Sequence, residues 1–239
     1  MTTQTVAGGH ARAVGTDDGR RILVILGAPG AGKGTQAERL AAELGLPHVS
    51  TGELFRDALR AGDGLGEHVR AYVEKGRLVP DDLAIEVVRA RLRRDDAAAG
   101  AILDGFPRTR AQAEALDRML AKVGSRVTAA LYVEVAPEKL VERLTGRRIC
   151  AKDDQHVYHV SARPAKVADR CDLDGARLVR RRDDEPETVR SRLERQMPPM
   201  YEVIDHYADA GVLSAVQGDQ PADLVTEDLL RCLGSAARP

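Results

Sequence analysis

A glycine-rich loop directly after a buried-strand pattern constrains this chain more than any other stretch. Residues 22–26 (ILVIL) are all apolar, without alternation, which indicates a strand buried on both faces of a parallel sheet. Residues 27–35 (GAPGAGKGT) follow at once. Their glycines let the backbone approach an anion closely and point successive N–H groups at phosphate oxygens. The chain is therefore expected to bind a phosphorylated ligand at this loop.

The residues at the end of the loop support the same interpretation. Lys33 brings a positive charge to the outer phosphates, and the apolar spacing after it predicts a helix whose N-terminus also faces the anion. The common P-loop pattern has Ser or Thr directly after the lysine, to reach Mg²⁺, whereas here Gly34 intervenes and the hydroxyl belongs to Thr35. A glycine-rich loop alone can be an ordinary turn, but the strand before it and the helix after it favour a phosphate site.

Composition argues against several other classes of protein. Charged residues make up 31% of the 239 residues, yet the net charge is −1, so no basic field is available for nucleic acid. No apolar run approaches the ~20 residues of a membrane helix, and we expect no membrane partner. Three cysteines, an odd number, argue against a disulfide framework and favour a cytoplasmic protein. Residues 1–20 have neither a basic start nor an apolar segment, and are expected to form a disordered tail rather than a signal peptide.

Strand and helix patterns alternate along the rest of the chain. Strand, helix, strand, helix in this order predicts an α/β fold, a P-loop doubly wound parallel sheet with right-handed crossovers. The long helix that opens at Pro186 is expected to be interrupted at Pro198 and Pro199. Later apolar runs predict further buried strands at residues 101–103, 127–135 and 212–216.

Two stretches differ from this alternation. Residues 50–79 predict a small helical insertion. Residues 145–179 lose the core-forming periodicity, alternate charges with Gly, Asp and Pro, and predict a second insertion on the same sheet. The single domain expected over residues 21–239 then has a core made of three segments, residues 21–49, 80–144 and 180–239.

Polar residues at the ends of predicted elements are candidates for ligand binding. Asp104 ends the first of the later strands, and ligands in open α/β sheets bind beyond the carboxyl ends of the strands. An aspartate at such a position in a P-loop protein commonly supports Mg²⁺. Ser50 and Glu53 have capping-box spacing, so Thr51 lies at a helix start, where it is either a simple cap or a ligand contact.

Several separated motifs resemble one enzyme family. The loop, with Pro29 and with Lys-Gly-Thr-Gln at residues 33–36, resembles that of the nucleoside monophosphate kinases, the adenylate kinases in particular. Residues 104–108 (DGFPR) match an adenylate kinase motif in full, and the resemblance extends in order over residues 21–233. It implies a monomeric enzyme that transfers a phosphoryl group from MgATP to AMP in line, giving two ADP. The helical insertion would bind AMP, and residues 145–179 would form a lid.

The resemblance also implies roles for individual residues. Those expected to bind ATP are Gly30, Ala31, Gly32, Lys33, Gly34, Thr35, Arg143, Arg147, Val157, Tyr158 and Gly218. Those expected to bind AMP are Thr51, Arg56, Arg77, Leu78, Val79, Gly105, Phe106, Pro107, Arg108, Gln112, Arg181 and Arg192. Catalytic charge is expected from Lys33, Arg108, Arg143, Arg147, Arg181 and Arg192, with Asp183 and Asp184 pairing with arginines at the lid hinge. Magnesium would be supported by Thr35 and Asp104.

Two parts of this assignment have alternatives. Gln112 would meet the adenine of AMP, but its spacing from Thr109 also fits a capping box. Zinc-bearing adenylate kinases carry Cys-x-x-Cys twice in the lid, with aspartate sometimes replacing cysteine. Here the candidate zinc ligands are Cys150, Asp153, Cys171 and Asp174, with one extra residue near Asp154 compared with the usual spacing. The alternative is a metal-free lid, held by hydrogen bonds, with two reduced cysteines.

Two other functions fit parts of the sequence. A sister kinase, either a UMP/CMP kinase or a GTP:AMP phosphotransferase, would use the same loop. UMP/CMP kinases have short lids, however, and Thr51 with Gln112 favours AMP as the acceptor. A nucleotide sensor that closes on ATP without transferring phosphate would need no acceptor segment, whereas this chain carries a complete one.

Overall fold

Strand β1 (Arg21–Leu26) is the first element of the fold and runs into the glycine-rich loop. The computed structural model describes residues 19–62, 64–75, 77–153 and 155–235. The further strands are β2 (His48–Ser50), β3 (Gly100–Asp104), β4 (Val127–Glu134), β5 (Arg147–Cys150), β6 (Val157–His159), β7 (Leu178–Val179) and β8 (Leu213–Gln217). The helices are α1 (Lys33–Leu44), α2 (Thr51–Ala61), α3 (Gly64–Val73), α4 (Asp81–Leu92), α5 (Arg110–Ala121), α6 (Pro137–Gly146), α7 (Pro186–Asp209) and α8 (Ala222–Ser235).

Strand β1 is the middle strand of the central sheet. Within the described residues this sheet has five strands, all paired in parallel, in the order β2-β3-β1-β4-β8. The predicted α/β class with a doubly wound parallel sheet is confirmed. A separate antiparallel sheet has the order β6-β5-β7. The carboxyl ends of β1 and β3 lie side by side, so the loop after β1 and Asp104 at the end of β3 share one edge.

Strand β1 is buried on both faces, as its run of apolar residues predicts. Ile22, Val24 and Leu26 pack into one core with apolar residues of α4, α5 and α7. Leu23 and Ile25 pack into a second core with residues of α1 and α8. Each of these five side chains is at most 3% exposed. Burial of such a side chain is worth about 1.5–3 kcal/mol, so packing on both faces fixes the strand that carries the loop.

The expected N-terminal tail falls almost wholly outside this description. Of residues 1–20, residues 1–18 lie outside the described residues. Within the described part of the chain, no helix combines the length and the apolar character needed to cross a membrane.

Helices α2 and α3 follow β2 along the chain and pack closely against each other. Ser50 caps α2, because its hydroxyl accepts a hydrogen bond from the N–H of Glu53 at 3.4 Å. A Cβ atom on Gly66 of α3 would lie only 2.2 Å from the carbonyl oxygen of Ala58 in α2. The backbone of α2 therefore occupies the space that a side chain at position 66 would need.

Strands β5, β6 and β7 enclose a small cluster of buried side chains that no sequence periodicity reveals. The strands have four, three and two residues, which is too short to show a period-two alternation. The stretch of residues 145–179 thus has a minor core of its own. Its buried members are Cys150, Tyr158, Cys171 and Leu178.

Helix α7 runs without a break through Pro198 and Pro199, so the interruption expected there is wrong. Each proline removes a donor to the carbonyl four residues earlier, and a proline inside a helix costs about 3 kcal/mol. Buried side chains on both sides of the pair pack against the core and offset this cost. The buried side chains along α7 are Val189, Gln196, Met200, Val203 and Tyr207.

Replacing Gly66 by alanine should loosen α2 against α3. The new Cβ atom would sit 2.2 Å from the carbonyl oxygen of Ala58, so the two backbones must separate. We expect the free energy of unfolding to fall by about 1–3 kcal/mol, as in other overpacked sites. Denaturant titration measures this loss, and hydrogen exchange should accelerate in α2 and α3.

Gly64→Ala is the matched control in the same helix. Among the described residues, a Cβ atom on Gly64 would meet nothing within 4 Å. Alanine is the better helix former by up to about 1 kcal/mol, so stability should hold or rise. Equal losses of stability in the two variants would contradict the close approach of α2 and α3.

Candidate active site

Two clefts meet at the carboxyl edge of the central sheet. The loop cleft, of about 470 Å³, is bordered by Gly27, Pro29 and Lys33. The insertion cleft, of about 600 Å³, is bordered by residues of α2 and of the segment before α4. Both clefts are lined by Gly105, Arg108, Arg192 and Gln196. Two arginines therefore lie where the contents of the two clefts would come together.

The glycine-rich loop borders the loop cleft through Gly27, Pro29 and Lys33. Gly30 has φ 86°, a left-handed conformation, and a Cβ atom there would lie 2.9 Å from Cγ of Leu144. Helix α1 begins at Lys33, after Gly32 with φ 96°. The first N–H groups of a helix have no partner within it, so they are free to bind an anion. The other loop residues expected to bind ATP lie at the same turn: Ala31, Gly34 and Thr35.

Lys33 lies at the end of the loop and is partly buried. Its Nζ donates a hydrogen bond to the carbonyl oxygen of Ala28 at 2.9 Å. Burial lowers the pKa of Lys33 to about 8, and the charges of Arg108 and Arg192 lower it too, while Asp104 acts in the opposite direction. The ammonium is thus a poorly hydrated charge that a phosphate would stabilise.

Asp104, at the end of β3, is 9% exposed. Its Oδ2 lies 3.4 Å from Nε2 of His48 on the neighbouring strand β2, a residue that no sequence motif marks. Burial alone would raise the pKa of Asp104, but the hydrogen bond with His48 and the charge of Lys33 outweigh it, and the pKa is lowered. The carboxylate is therefore ionised near neutral pH, as support for Mg²⁺ requires. A Cβ atom on Gly34 would lie 3.6 Å from Oδ2 of Asp104, so a longer side chain there would crowd this carboxylate.

The insertion cleft collects most of the residues that were expected to bind AMP. They are Thr51, Arg56, Arg77, Leu78, Val79, Gly105, Arg108, Gln112 and Arg192. Three others lie elsewhere. Pro107 lines the loop cleft, Phe106 is 1% exposed in the core, and Arg181 stands at the start of the 3₁₀ turn Arg182–Asp184.

Gly105 lies where the two clefts meet and where three chain segments converge. Its φ is 77°, and a Cβ atom would lie 2.8 Å from Nη2 of Arg108 and 2.9 Å from Oγ1 of Thr51. The carbonyl oxygen of Gly105 accepts hydrogen bonds from Oγ1 of Thr51 at 2.9 Å and from Nε of Arg108 at 2.7 Å. Ser50 is the cap of α2, so the hydroxyl of Thr51 is not needed as a cap. Its hydrogen bond to Gly105 connects α2 to the residue after β3.

Gln112 is 2% exposed, and its amide is held on both sides. Its Oε1 accepts the N–H of Arg108 at 2.8 Å, and its Nε2 donates to Oδ1 of Asp81 at 2.7 Å. Its own N–H donates to Oγ1 of Thr109, the cap of α5, at 3.2 Å. The N–H of Gln112 therefore makes one of the two hydrogen bonds of a capping box, whereas its side chain lines the insertion cleft.

Arg108 and Arg192 are partly buried cations at the meeting point of the clefts. Nη1 of Arg108 donates to Oε1 of Gln196 at 3.2 Å. Burial and the charge of Arg192 lower the pKa of Arg108 to about 10, so it stays charged at neutral pH. Nη1 of Arg192 lies 2.7 Å from Oδ2 of Asp183, whereas its buried Nε has no hydrogen-bond partner among the described residues. An unsatisfied buried donor costs about 1–3 kcal/mol, so this N–H favours an anionic ligand.

Arg147, at the start of β5, and Asp184, in the turn before α7, form a two-pronged ion pair. The guanidinium donates to the two carboxylate oxygens at 2.7 and 2.6 Å, and Asp184 is fully buried. Arg143, on α6, donates to the carbonyl oxygen of Gly218 at 2.9 Å and lies 3.2 Å from Oδ1 of Asp219. These pairs hold both guanidinium groups near the core end of residues 145–179.

Val157 and Tyr158, expected near ATP, lie on β6. Val157 pairs with Ile149 of β5. Tyr158 is 5% exposed, its hydroxyl accepts the N–H of Asp172 at 2.8 Å, and it lies 3.5 Å from Sγ of Cys171. The ring of Tyr158 is therefore part of the minor core that β5, β6 and β7 share.

Cys150, His156, Cys171 and Asp174 form a cluster of potential metal ligands, whose ligand atoms all lie within 4.8 Å of one another. Sγ of Cys150 is 3.3 Å from Oδ2 of Asp174, and Sγ of Cys171 is 3.4 Å from Nδ1 of His156. Nδ1 of His156 is 3.6 Å from Oδ2 of Asp174. Zinc bond lengths imply separations of about 3.3–3.8 Å between ligands of a tetrahedral site, so the cluster fits. His156 occupies the place that the sequence pattern gave to Asp153.

The surroundings of the two sulfur atoms suit metal ligands. Burial raises the pKa of Cys171, but hydrogen bonds from a tyrosine hydroxyl and from the N–H groups of Leu173 and Asp174 outweigh it, and the pKa is lowered. Cys150 accepts the N–H of Lys152 at 3.3 Å, although burial keeps the pKa of Cys150 raised. Thiolates are the form that binds metal ions, and these N–H groups stabilise them.

Comparisons with known proteins point to one family. A family model described as adenylate kinase matches residues 25–212. An adenylate kinase of Exiguobacterium sibiricum is 47% identical over 212 residues, which cover 89% of this chain and 98% of that protein. One from Caldicellulosiruptor saccharolyticus is 45% identical over the same shares, and one from Oceanobacillus iheyensis is 44% identical over 87% of this chain and 96% of that protein.

Asp184→Asn should destabilise the protein strongly. Arg147 would keep its charge at a largely buried place without the carboxylate that neutralises it. Removing one partner of a buried pair costs about 3–5 kcal/mol, which denaturant titration measures. Asp223→Asn is the control, because Asp223 also pairs with an arginine, Arg39, but its side chain is 82% exposed. That change should cost less than about 1 kcal/mol, and similar losses in both variants would contradict the burial of the Arg147 pair.

Proposed function

The chain belongs to the adenylate kinase family, and we propose that its loop cleft binds MgATP while its insertion cleft binds AMP. As a nucleoside monophosphate kinase, it transfers a phosphoryl group from ATP to AMP and gives two ADP. The proposal is carried by Arg108 and Arg192, which line both clefts. A phosphoryl group that moves directly from one nucleotide to the other would therefore pass close to these two side chains.

On the donor side, the loop N–H groups and Lys33 bind the β- and γ-phosphates of ATP. Arg143 and Arg147 add positive charge from the other side, where residues 145–179 begin. Mg²⁺ bound with ATP would neutralise part of the charge on the phosphates. Asp104 and Thr35 support the ion, since an ionised carboxylate and a hydroxyl are the hard oxygen donors that Mg²⁺ prefers.

On the acceptor side, Arg56 and Arg108 hold the phosphate of AMP, and Thr51 and Gln112 face its adenine. The segment of residues 77–79 borders the base. Support for this arrangement comes from the lining that these residues share in the insertion cleft. The bonds of Gln112 to Asp81 and to the N–H of Arg108 fix its amide before the nucleotide arrives.

The transfer requires alignment and positive charge. An oxygen of the AMP phosphate, already anionic near neutral pH, bonds to the γ-phosphorus while the bond to the β–γ bridging oxygen breaks and leaves its electrons on ADP. No general base is needed. Lys33, Arg108, Arg192 and Arg181 stabilise the oxygens that gain negative charge. One well-placed arginine is worth roughly 10³–10⁵ in rate.

We further infer that residues 50–79 and 145–179 move relative to a core of residues 21–49, 80–144 and 180–239. The first segment closes on AMP, and the second closes as a lid over ATP. Closure keeps water from the γ-phosphate, which would otherwise be hydrolysed. Asp183 and Asp184 hold Arg192 and Arg147 at the point where the lid returns to the core. The monomeric state and cytoplasmic location stay predictions from the sequence.

We also propose that the lid binds one Zn²⁺ between Cys150, His156, Cys171 and Asp174. Two thiolates, an imidazole and a carboxylate form a donor set that zinc accepts in tetrahedral sites. The support is the separation of these ligand atoms and the N–H groups directed at the sulfur atoms. The ion would join β5, the turn before β6 and the segment before β7, and so stabilise the minor core.

ADP formation from MgATP and AMP tests the proposed reaction. Lys33→Met should abolish turnover while the protein stays folded, because a neutral side chain cannot stabilise the charge of the transferring phosphoryl group. Lys122→Met is the control, since Lys122 is an exposed residue at the end of α5 and should leave turnover unchanged. Near-normal turnover of Lys33→Met would contradict the proposal.

Competition among nucleotides tests the substrate assignment in the same assay. AMP should be the preferred acceptor over UMP, CMP and GMP, and ATP the preferred donor over GTP. Preference for another acceptor or donor would assign the chain to a sister kinase. Binding of ATP without ADP formation from any acceptor would favour a nucleotide sensor.

Zinc content and chelation test the lid site. The purified protein should contain about one Zn²⁺ per chain, because a built tetrahedral site retains the ion. Its removal by a strong chelator should lower the melting temperature and speed hydrogen exchange in β5–β7, since metal binding energy contributes to folding. Zn²⁺ should restore both properties, and Mg²⁺, which prefers oxygen ligands, should not. Unchanged exchange after removal of bound zinc would contradict a structural role.

A further inference from the structure

The turn from Asp153 to His156 connects a carboxylate outside the lid cluster with an imidazole inside it. The N–H of His156 donates to the carbonyl oxygen of Asp153 at 3.1 Å. Oδ1 of Asp153 accepts the N–H of Gln155 at 3.0 Å. The other carboxylate oxygen, Oδ2, lies 3.4 Å from Nε2 of His156, at the long end of the hydrogen-bond range. One aspartate thus shapes the turn and also faces the ring.

The two nitrogen atoms of His156 face different partners. Nε2 faces Asp153, whereas Nδ1 lies 3.4 Å from Sγ of Cys171 and 3.6 Å from Oδ2 of Asp174. A neutral imidazole carries one N–H and one lone pair. A proton on Nε2 can be donated to Asp153, and Nδ1 then presents its lone pair to the centre of the cluster.

We propose that Asp153 is a positioning residue of the lid metal site: it accepts the Nε2–H of His156 and turns Nδ1 toward the ion. The proposal rests on the zinc site proposed above. A metal-bound histidine usually donates its second N–H to a carboxylate or carbonyl oxygen, which fixes the tautomer and ring orientation and makes the ligating nitrogen more basic.

The competing role for Asp153 is that of a direct ligand, as the repeated Cys-x-x-Asp pattern suggests. Among the described residues, the group whose ligand atoms lie within 4.8 Å of one another contains His156 and not Asp153. The side chain of Asp153 is 46% exposed, compared with 24% for His156, so the carboxylate lies on the outer side of the ring. Asp153 therefore reaches the sulfur of Cys150 through its backbone N–H, while its carboxylate faces the Nε2 side of the ring.

Binding of Co²⁺ and Zn²⁺ to the full chain tests the proposal, with Asp153→Asn as the central variant. Asparagine keeps a carbonyl oxygen for the N–H of Gln155, but it lacks the second oxygen that accepts Nε2–H. Asp172→Asn is the matched control. It makes the same charge change in the same segment, and its remaining oxygen can still accept the N–H of Lys166, now bound at 2.9 Å. His156→Ala removes the ligand itself.

Asp153→Asn should weaken Co²⁺ and Zn²⁺ binding about 10- to 100-fold in competition with a chelator. Its cobalt spectrum should keep the charge-transfer bands of two thiolates and the wild-type ligand field, because no ligand is lost. Asp172→Asn should bind like the wild type, and His156→Ala should change the ligand field. Nitrogen NMR of the zinc form should find the imidazole proton on Nε2.

Three results would overturn the proposal, and they differ from one another. The first is binding by Asp153→Asn within about twofold of the wild-type affinity, since residues that hold a metal ligand in place are worth more than that. A changed ligand field in Asp153→Asn together with an unchanged one in His156→Ala would make Asp153 the ligand. A wild-type chain that binds neither ion would remove the zinc site, and this inference with it, whereas the kinase assay would be unaffected.

Discussion

The site depends on holding several positive charges close together in a poorly hydrated place. Burial and mutual repulsion lower the pKa values of Lys33, Arg108 and Arg192. Like charges repel more strongly where water is excluded, so the arrangement holds only with opposing carboxylates nearby. Asp104 and Asp183 supply them, and the pKa of each is lowered in return. A polyanionic ligand relieves the remaining repulsion, which makes the clefts selective for phosphates.

The central sheet makes this concentration of charge possible. Strands β1 and β3 are neighbours and parallel, so the loop after one and the aspartate at the end of the other meet at a single edge. Both strands are packed on two faces, and their ends cannot shift without disturbing two cores. Gly105 then lets Thr51 and Arg108 converge on one carbonyl oxygen. The buried strands thus set the positions of the charged residues that follow them.

Local patterns in the sequence predict much of the fold, and contacts distant in sequence account for what they miss. The apolar run, the glycine loop and the helix after it are contiguous, so strand, loop and helix can be inferred together. No local pattern joins His48 to Asp104, because their contact arises from the pairing of β2 with β3. The cluster of potential metal ligands shows the same limit. The Cys-x-x-Asp spacing suggests Asp153 as a ligand, whereas the fold places His156 next to the two cysteines. Helix propensity fails at Pro198 because burial on both sides of it decides the structure.

Residues 145–179 present a different physical problem from the central sheet. Their cluster of buried side chains is small, and so few apolar groups stabilise an independent body only weakly. A cross-link by a metal ion would supply the missing stability. All four candidate ligands lie between residues 150 and 174, so such an ion would stiffen this segment without fastening it to the central sheet.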